Sequence, residues 1–350
     1  MRHKRTFFIT FILLSIVILS KLLLTIVTKN EEPEIVPGKI IIDTSYATEN
    51  PTVLNYFLKL HDQKQLLFEE FSSIIDSYSD FKTILSSAEI NMPVTRNMVF
   101  QGIATVEDDY ILLTAYNDNQ RGTSRLYVLN SLGRIINIVD LGNTSHVGAI
   151  AYDSKNDLIW IPGEKGTLEV YTLSDILEET RVEPKYVFKG LSDDFKDYRS
   201  NNRTIDFLTI DENYIYIGNF SLKKPNLLKK YEICFKDSEI ELVFKNKYLL
   251  PVKTQSVVFY ENELGKFMLT SNSYGRKNPS QLSIFSLNDG DYDFTKKEKK
   301  TFKLPPLIEQ VSVKDDELYV IFESGAEKFF DCKERVHLIC KLDMKKIVGQ

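Results

Sequence analysis

The chain has 350 residues, 43% of them hydrophobic and 12% aromatic, which excludes wholesale disorder and leaves room for one large domain or two ordinary ones. The 18 Tyr and 22 Phe, set against one Trp, favour strands over helices. Residues 1–29 hold five basic side chains and no acids, so the remainder carries 39 basic against 49 acidic groups, a net of −10 that argues against non-specific nucleic-acid binding.

Residues 1–5 read as a basic cytoplasmic tail and residues 6–27 as a transmembrane signal-anchor. Thr6 to Val27 has Lys21 as its only charge and, as a helix, spans about 33 Å against a hydrocarbon core of about 30 Å. A cleaved signal peptide is the rival reading, since Met1–Arg5 makes a basic leader. However, Ile18 to Thr28 contains no Ala or Gly to form a small-residue cleavage site. Lys21 can snorkel to the outer interface. The basic residues before the span keep the N-terminus inside. The expected location is therefore the cell membrane, single-pass, with an extracytoplasmic C-terminal domain.

Residues 28–51 read as a linker with a short strand at Lys39–Thr44. Residues 52–94 read as a helical segment: Leu67, Phe71, Ile74, Tyr78, Phe81 and Leu85 recur at spacings of three and four, one face of an amphipathic helix. That stripe packs on the domain or, in a second reading, docks a membrane-protein partner.

Residues 95–345 repeat a unit of strand, acidic turn, strand. The matching positions Gly102, Gly148, Asp206, Ser256 and Gln310 lie 46, 58, 50 and 54 residues apart. A third strand follows in each unit, and fourth strands are read at Arg134–Val139, Lys185–Lys189, Ile240–Lys245 and Thr301–Leu304. Four short antiparallel strands repeating about every 50 residues predict an all-β, five-bladed β-propeller. A sixth blade is the alternative, assembled from Lys39–Thr44 and its neighbours, and a β-sandwich is the main competing fold. In a propeller the small-or-polar column lies on the innermost strands, where side chains crowd the axis. Cys234, Cys332 and Cys340 are odd in number and lack a CxxC pair. Cys332 and Cys340 flank a hairpin turn whose simple register opposes Cys332 to His337, so a disulfide between them needs a shifted turn.

The five-blade count and the unit Thr204-Ile205-Asp206-Phe207-Leu208-Thr209-Ile210-Asp211-Glu212 resemble the olfactomedin-type propellers. That resemblance implies calcium in the central channel, held by an Asp preceded by Ile, a second Asp and an Asn from separate inner strands. Only Ile205-Asp206 carries over, making Asp206 the candidate metal ligand. The equivalent positions elsewhere are Gly102, Gly148, Ser256 and Gln310.

Sorting loop charges by propeller face gives a pattern. The turns between first and second strands hold twelve acids against two bases, Lys155 and Lys314. Asp and Glu favour tight turns, which is the plain explanation. The loops between second and third strands carry Arg121, Lys165, Lys223, Lys224, Arg276 and Lys277, with Glu323 and Glu327 breaking the pattern in the fifth unit. The first strands begin on that same face, bringing Gln101, His146, Arg203 and Gln255 to the channel mouth. A polar funnel with several cations suits an anionic ligand of the cell envelope, and no catalytic set can be assembled. The leading expectation is thus a non-catalytic binding module without a cofactor. The alternative is a calcium-dependent lactonase or hydrolase with Asp206 near the metal and His146 as base.

Overall fold

The computed structural model describes residues 64–349 except 94, 96, 108, 109, 120, 121, 194, 196–203, 238 and 289. The expected membrane span, the strand at Lys39–Thr44 and residues 52–63 lie outside the described residues. No helix among the described residues is long and apolar enough to cross a membrane.

Two helices lead in, α1 (Lys64–Ser77) and α2 (Ser79–Ile84). Their apolar stripe faces inward: Phe71, Ile74, Phe81 and Ile84 are buried in a cluster shared with the last two blades, including Phe302, Leu304, Val320 and Phe322. The chain breaks at Tyr78, whose hydroxyl donates to Glu334 at 2.6 Å. The described part of the helical face is used within the chain and is not open to a membrane partner.

Five four-stranded antiparallel sheets follow. Blade 1 is β2 (Met98–Val106), β3 (Tyr110–Asn117), β4 (Arg125–Asn130) and β5 (Ile135–Asp140). Blade 2 is β6 (Ala151–Asp153), β7 (Leu158–Pro162), β8 (Leu168–Thr172) and β9 (Tyr186–Phe188). Helix α3 (Leu173–Glu178) lies between β8 and β9. Blade 3 is β10 (Phe207–Asp211), β11 (Tyr214–Gly218), β12 (Asn226–Lys236) and β13 (Glu239–Leu250). Blade 4 is β14 (Thr254–Asn262), β15 (Gly265–Asn272), β16 (Ser280–Ser286) and β17 (Lys300–Leu304). Blade 5 takes β18 (Ile308–Lys314), β19 (Glu317–Phe322) and β20 (Leu338–Asp343) from the C-terminal end, followed by α4 (Met344–Gly349). Its outermost strand is β1 (Leu85–Asn91), which pairs antiparallel with β20. The first strand of the domain therefore completes the last sheet, and Leu85 opens that strand instead of closing the helical stripe.

The inner strands touch in a closed cycle: β2 with β6, β6 with β10, β10 with β14, β14 with β18, and β18 with β2. Five sheets around one axis make a five-bladed β-propeller. The first two strands of a blade are covered on both faces by neighbouring blades, which explains why β2 in the first position and β7 and β19 in the second lack polar–apolar alternation. The core is correspondingly divided into layers between adjacent blades.

The small-or-polar column meets at the axis. A Cβ on Gly102 would lie 2.9 Å from the Ala149 carbonyl carbon, and one on Gly148 would lie 2.5 Å from the Asp206 carbonyl oxygen. The room left by these glycines admits one long side chain. Gln310 Oε1 accepts from Ile103 N at 3.0 Å and Ile150 N at 2.8 Å, while its Nε2 donates to Ile150 O at 2.8 Å and Leu208 O at 3.2 Å. One amide thereby ties blade 5 to blades 1, 2 and 3. It also accounts for the late start of β6, because both backbone polar groups of Ile150 face Gln310 and not a ladder partner.

Replacing Gln310 with Leu keeps the volume but leaves two buried N–H and two C=O groups without that partner. Stability should fall by about 3 kcal/mol or more. Urea unfolding checks this, and a loss below about 1 kcal/mol would contradict the assignment.

Candidate functional site at the channel mouth

Antiparallel strands put the loops between second and third strands on the same face as the connections between blades. On that face the chain enters the inner strands through a recurring backbone device. Asn97, Val147, Lys253 and Leu307, each just before or a few residues before an inner strand, have φ of 63°, 43°, 65° and 67°. In three blades the carbonyl so turned accepts the first N–H after the second strand: Asp118 N to Asn97 O, Ser273 N to Lys253 O and Glu323 N to Leu307 O. For a buried, β-branched residue such as Val147 this left-handed conformation is costly, and strain of that kind gathers where geometry must be held.

A second device follows at once. The pairing register shifts between Phe100 and Gly102, between Thr254 and Ser256, and between Ile308 and Val311. These bulges fall on Gln101, Gln255 and the Glu309-Gln310 pair, and bulges re-aim side chains that would otherwise alternate. Gln101 Nε2 donates to Glu323 Oε2 at 3.0 Å and to Phe100 O at 3.1 Å. Gln255 Nε2 donates to Glu309 Oε1 at 3.3 Å.

The carboxyl groups of Glu309 and Glu323 lie within hydrogen-bonding reach of each other. Two carboxylate anions have no hydrogen to share, so this contact requires a proton. Burial comes first among the causes that raise Glu309 well above the usual carboxylate range, followed by the Glu323 charge and their hydrogen bond. Burial also pushes Glu323 up, to about 7, against the lowering effects of Gln101, Lys328, Glu309 and Arg276.

Cations and aromatics surround this pair. Lys328 Nζ donates to Tyr116 Oη at 2.6 Å and lies 3.2 Å from Asp118 Oδ1. Burial pushes the Tyr116 phenol up to about 12 despite the neighbouring Lys328. His146 stacks on Tyr116 with ring centroids 4.3 Å apart. The imidazole has an exposed face but is crowded by protein, and that desolvation, with Lys328, lowers its pKa to about 4. Arg276 pairs with Asp331 and lies 5.0 Å over the Phe329 ring.

The sequence-derived residues thus divide. Gln101, Gln255 and His146 converge at the mouth, and Arg276 is tied to the blade 5 loop. Lys165, Lys223, Lys224 and Lys277 stand exposed on loops of blades 2, 3 and 4. Arg121 and Arg203 lie outside the described residues. Glu309, Glu323, Lys328 and Tyr116 were not singled out by sequence reasoning. The one available signal was Glu323, the acid that broke the basic pattern. The acids of the opposite face have a structural account: Glu107, Asp157, Glu212 and Asp315 occupy left-handed turn positions, and Asp153 accepts from Lys155 N and Asn156 Nδ2 within its own turn.

No protein-family model and no curated protein sequence matches the chain. Among solved structures it is similar to a chain in "Crystal structure of Nidogen/Laminin Complex", at 13% identity and a TM-score of 0.38, covering 65% of this chain and 73% of that one. It is also similar to the WD40 β-propeller domain of Doa1, at 11% identity and a TM-score of 0.36, covering 75% and 98%. Likeness of that order says nothing about function, and the fold rests on the five sheets and their closure.

The calcium implied by the olfactomedin-type resemblance can be tested against the donors. Among the described residues of the inner column Asp206 offers the sole carboxylate, and its Oδ2 accepts from Phe220 N at 2.6 Å. The axis itself is crossed by the Gln310 amide. No group of three or more His, Cys, Asp or Glu among the described residues is arranged to hold a metal ion. These donors do not fit the six or more oxygens calcium takes. The cysteines are free thiols.

Desolvation lowers His337 to about 4 as well. Both imidazoles favour the neutral form when folded, so their contribution to stability is present above about 6.5 and is lost as pH falls toward 4. NMR titration should place both imidazoles below the usual histidine value, His337 near 4, with the melting temperature lower at pH 4.5 than at 6.5. Midpoints near 6.5 would contradict the packing described.

Proposed function

We propose that this chain is a membrane-tethered, extracytoplasmic binding propeller whose mouth face takes an anionic polymer of the cell envelope. Thr6–Val27 is the tether in this reading, and no reaction is required of the protein. The observation that carries it is an imbalance of engagement on the mouth face. Three acids there already have partners: Asp118 with Lys328, Asp331 with Arg276, and Glu164 with the N–H and hydroxyl of Thr144, while Glu327 is exposed and makes no ion pair with a described residue. Lys165, Lys224 and Lys277, from three blades, are exposed and make no ion pair with any described residue, and Lys223 is exposed beside Lys224.

Such lysines give a polyanion several separated contacts. Each is weak in water, and together they are salt-dependent. Exposed Tyr274 and Phe330 on neighbouring loops add apolar surface for a sugar or chain backbone. The Glu309–Glu323 carboxyl pair on the same face, holding its proton, adds less negative charge than two carboxylates would.

Full-length protein in detergent should be retained on an immobilised uronic-acid polymer or on polyphosphate. Joint reversal of Lys165, Lys224 and Lys277 to Glu should weaken retention by about tenfold or more, as should raising the salt severalfold. Failure of the unaltered protein to bind either resin, or unchanged retention of the triple variant, would remove the proposal.

A further inference from the structure

The carboxyl pair does more than line the funnel, because its two members belong to parts of the blade that need not stay together. Glu309 is 4% exposed and sits on the inner strand, fixed by the bulge and by Gln255. Glu323 opens the loop that joins β19 to β20. That loop runs through two short 3-10 turns, Glu323–Gly325 and Glu327–Phe329. Arg335 donates to the carbonyls of Ser324, Gly325 and Ala326, which makes the loop a single stiff piece. It meets the ring of blades through Glu323 to Glu309 and Gln101, Lys328 to Tyr116 and Asp118, Arg276 to Asp331 and to the Lys328 carbonyl, the Cys332 thiol to the Arg276 carbonyl, and Phe329 and Cys332 packed with Val99 and Leu307.

We propose that the Glu309–Glu323 contact is a proton-operated latch: with its proton it holds the 323–331 loop against the inner strands at the channel mouth, and without it the two carboxylates repel and the loop is released. The proton is needed because neither carboxylate can donate, so the hydrogen bond and the charge repulsion are alternative states of one geometry.

The surrounding groups set where the change occurs. From the loop itself comes Lys328; from the blade 4 loop, Arg276; from the end of β3, Tyr116 and Asp118; and ahead of β6, His146, which is neutral across this range. The two cations favour ionised Glu323 and keep its transition near neutrality, although burial of both acids works the other way. Gln101 and Gln255 donate to the acids in either state and do not titrate. A carboxyl whose folded pKa is raised contributes stability that is complete below about 4.5 and is lost as pH rises through the folded value. The latch therefore closes toward acid and opens toward mildly alkaline pH. It is independent of any ligand, and its test does not rest on the binding reading above.

Hydrogen exchange by mass spectrometry on the full-length chain reads the latch directly, through a peptide covering Glu323–Cys332. The amide of Glu323 donates out of the loop to Leu307 O, so its protection reports the loop's seat on the inner strand, whereas those of Ala326, Phe329 and Cys332 donate within the loop and report its loosening after release. After correction for the intrinsic pH dependence of exchange, protection there should fall by about tenfold or more between pH 6 and pH 9, while the blade 2 loop at Gly163–Thr167 stays unchanged. Glu309→Gln supplies a permanent donor to Glu323 and should keep protection flat over the same range, and Glu323→Gln should do so from the other side. PH-independent protection in the unaltered chain would overturn the proposal. So would an equal loss in both Gln variants when they retain the native circular dichroism spectrum. If one variant fails to fold, the other decides.

Discussion

Everything in this molecule depends on how closely five inner strands can approach one axis. Two glycines, Gly102 and Gly148, let backbones come within contact of neighbouring carbonyl groups, and a single amide, Gln310, fills what remains with hydrogen bonds to three other blades. A buried amide satisfied at four backbone positions is directional in a way that apolar packing is not. It fixes the rotation of the blades it joins as well as their distance from the axis.

The same crowding builds the mouth. Ladder pairing shifts where the inner strands near the axis, and the bulges that result turn Gln101, Gln255 and Glu309 toward one opening. In three blades a left-handed residue before the inner strand brings the next loop back over it, which is how Glu323 N comes to lie on Leu307 O and its carboxyl near Glu309. Axis and mouth are thus two levels of one construction, and a change in the column at Gly102 to Gln310 is felt one residue away by the groups that line the opening.

Much of this was legible in the chain. The spacing of the small-or-polar column showed the blades, and the stripe from Phe71 to Phe81 showed the helical face that packs on them. Closure by Leu85–Asn91 was not legible, because Leu85 continues the helical spacing and a lone edge strand carries no repeat of its own. The carboxyl pair was hidden for another reason. Glu309 and Glu323 are 14 residues apart on different strand ends and meet only because a bulge turns the first and a left-handed Leu307 positions the second. Loop composition also overstated the cationic rim: Arg276 is held by Asp331, and Lys328, which it overlooked, by Asp118 and Tyr116.

Closure of the ring can be measured by joining its two ends. Thr105 on β2 and Ser312 on β18 stand with their hydroxyl oxygens 3.3 Å apart although 207 residues separate them. Cysteines at these two positions, in a chain whose own three cysteines are replaced by Ala, should form an intramolecular disulfide nearly completely under mild oxidation of the folded protein. The product should run as a compact monomer on a non-reducing gel. Cross-linking only between chains, or none, would mean that the first and last blades do not meet and that no common axis exists.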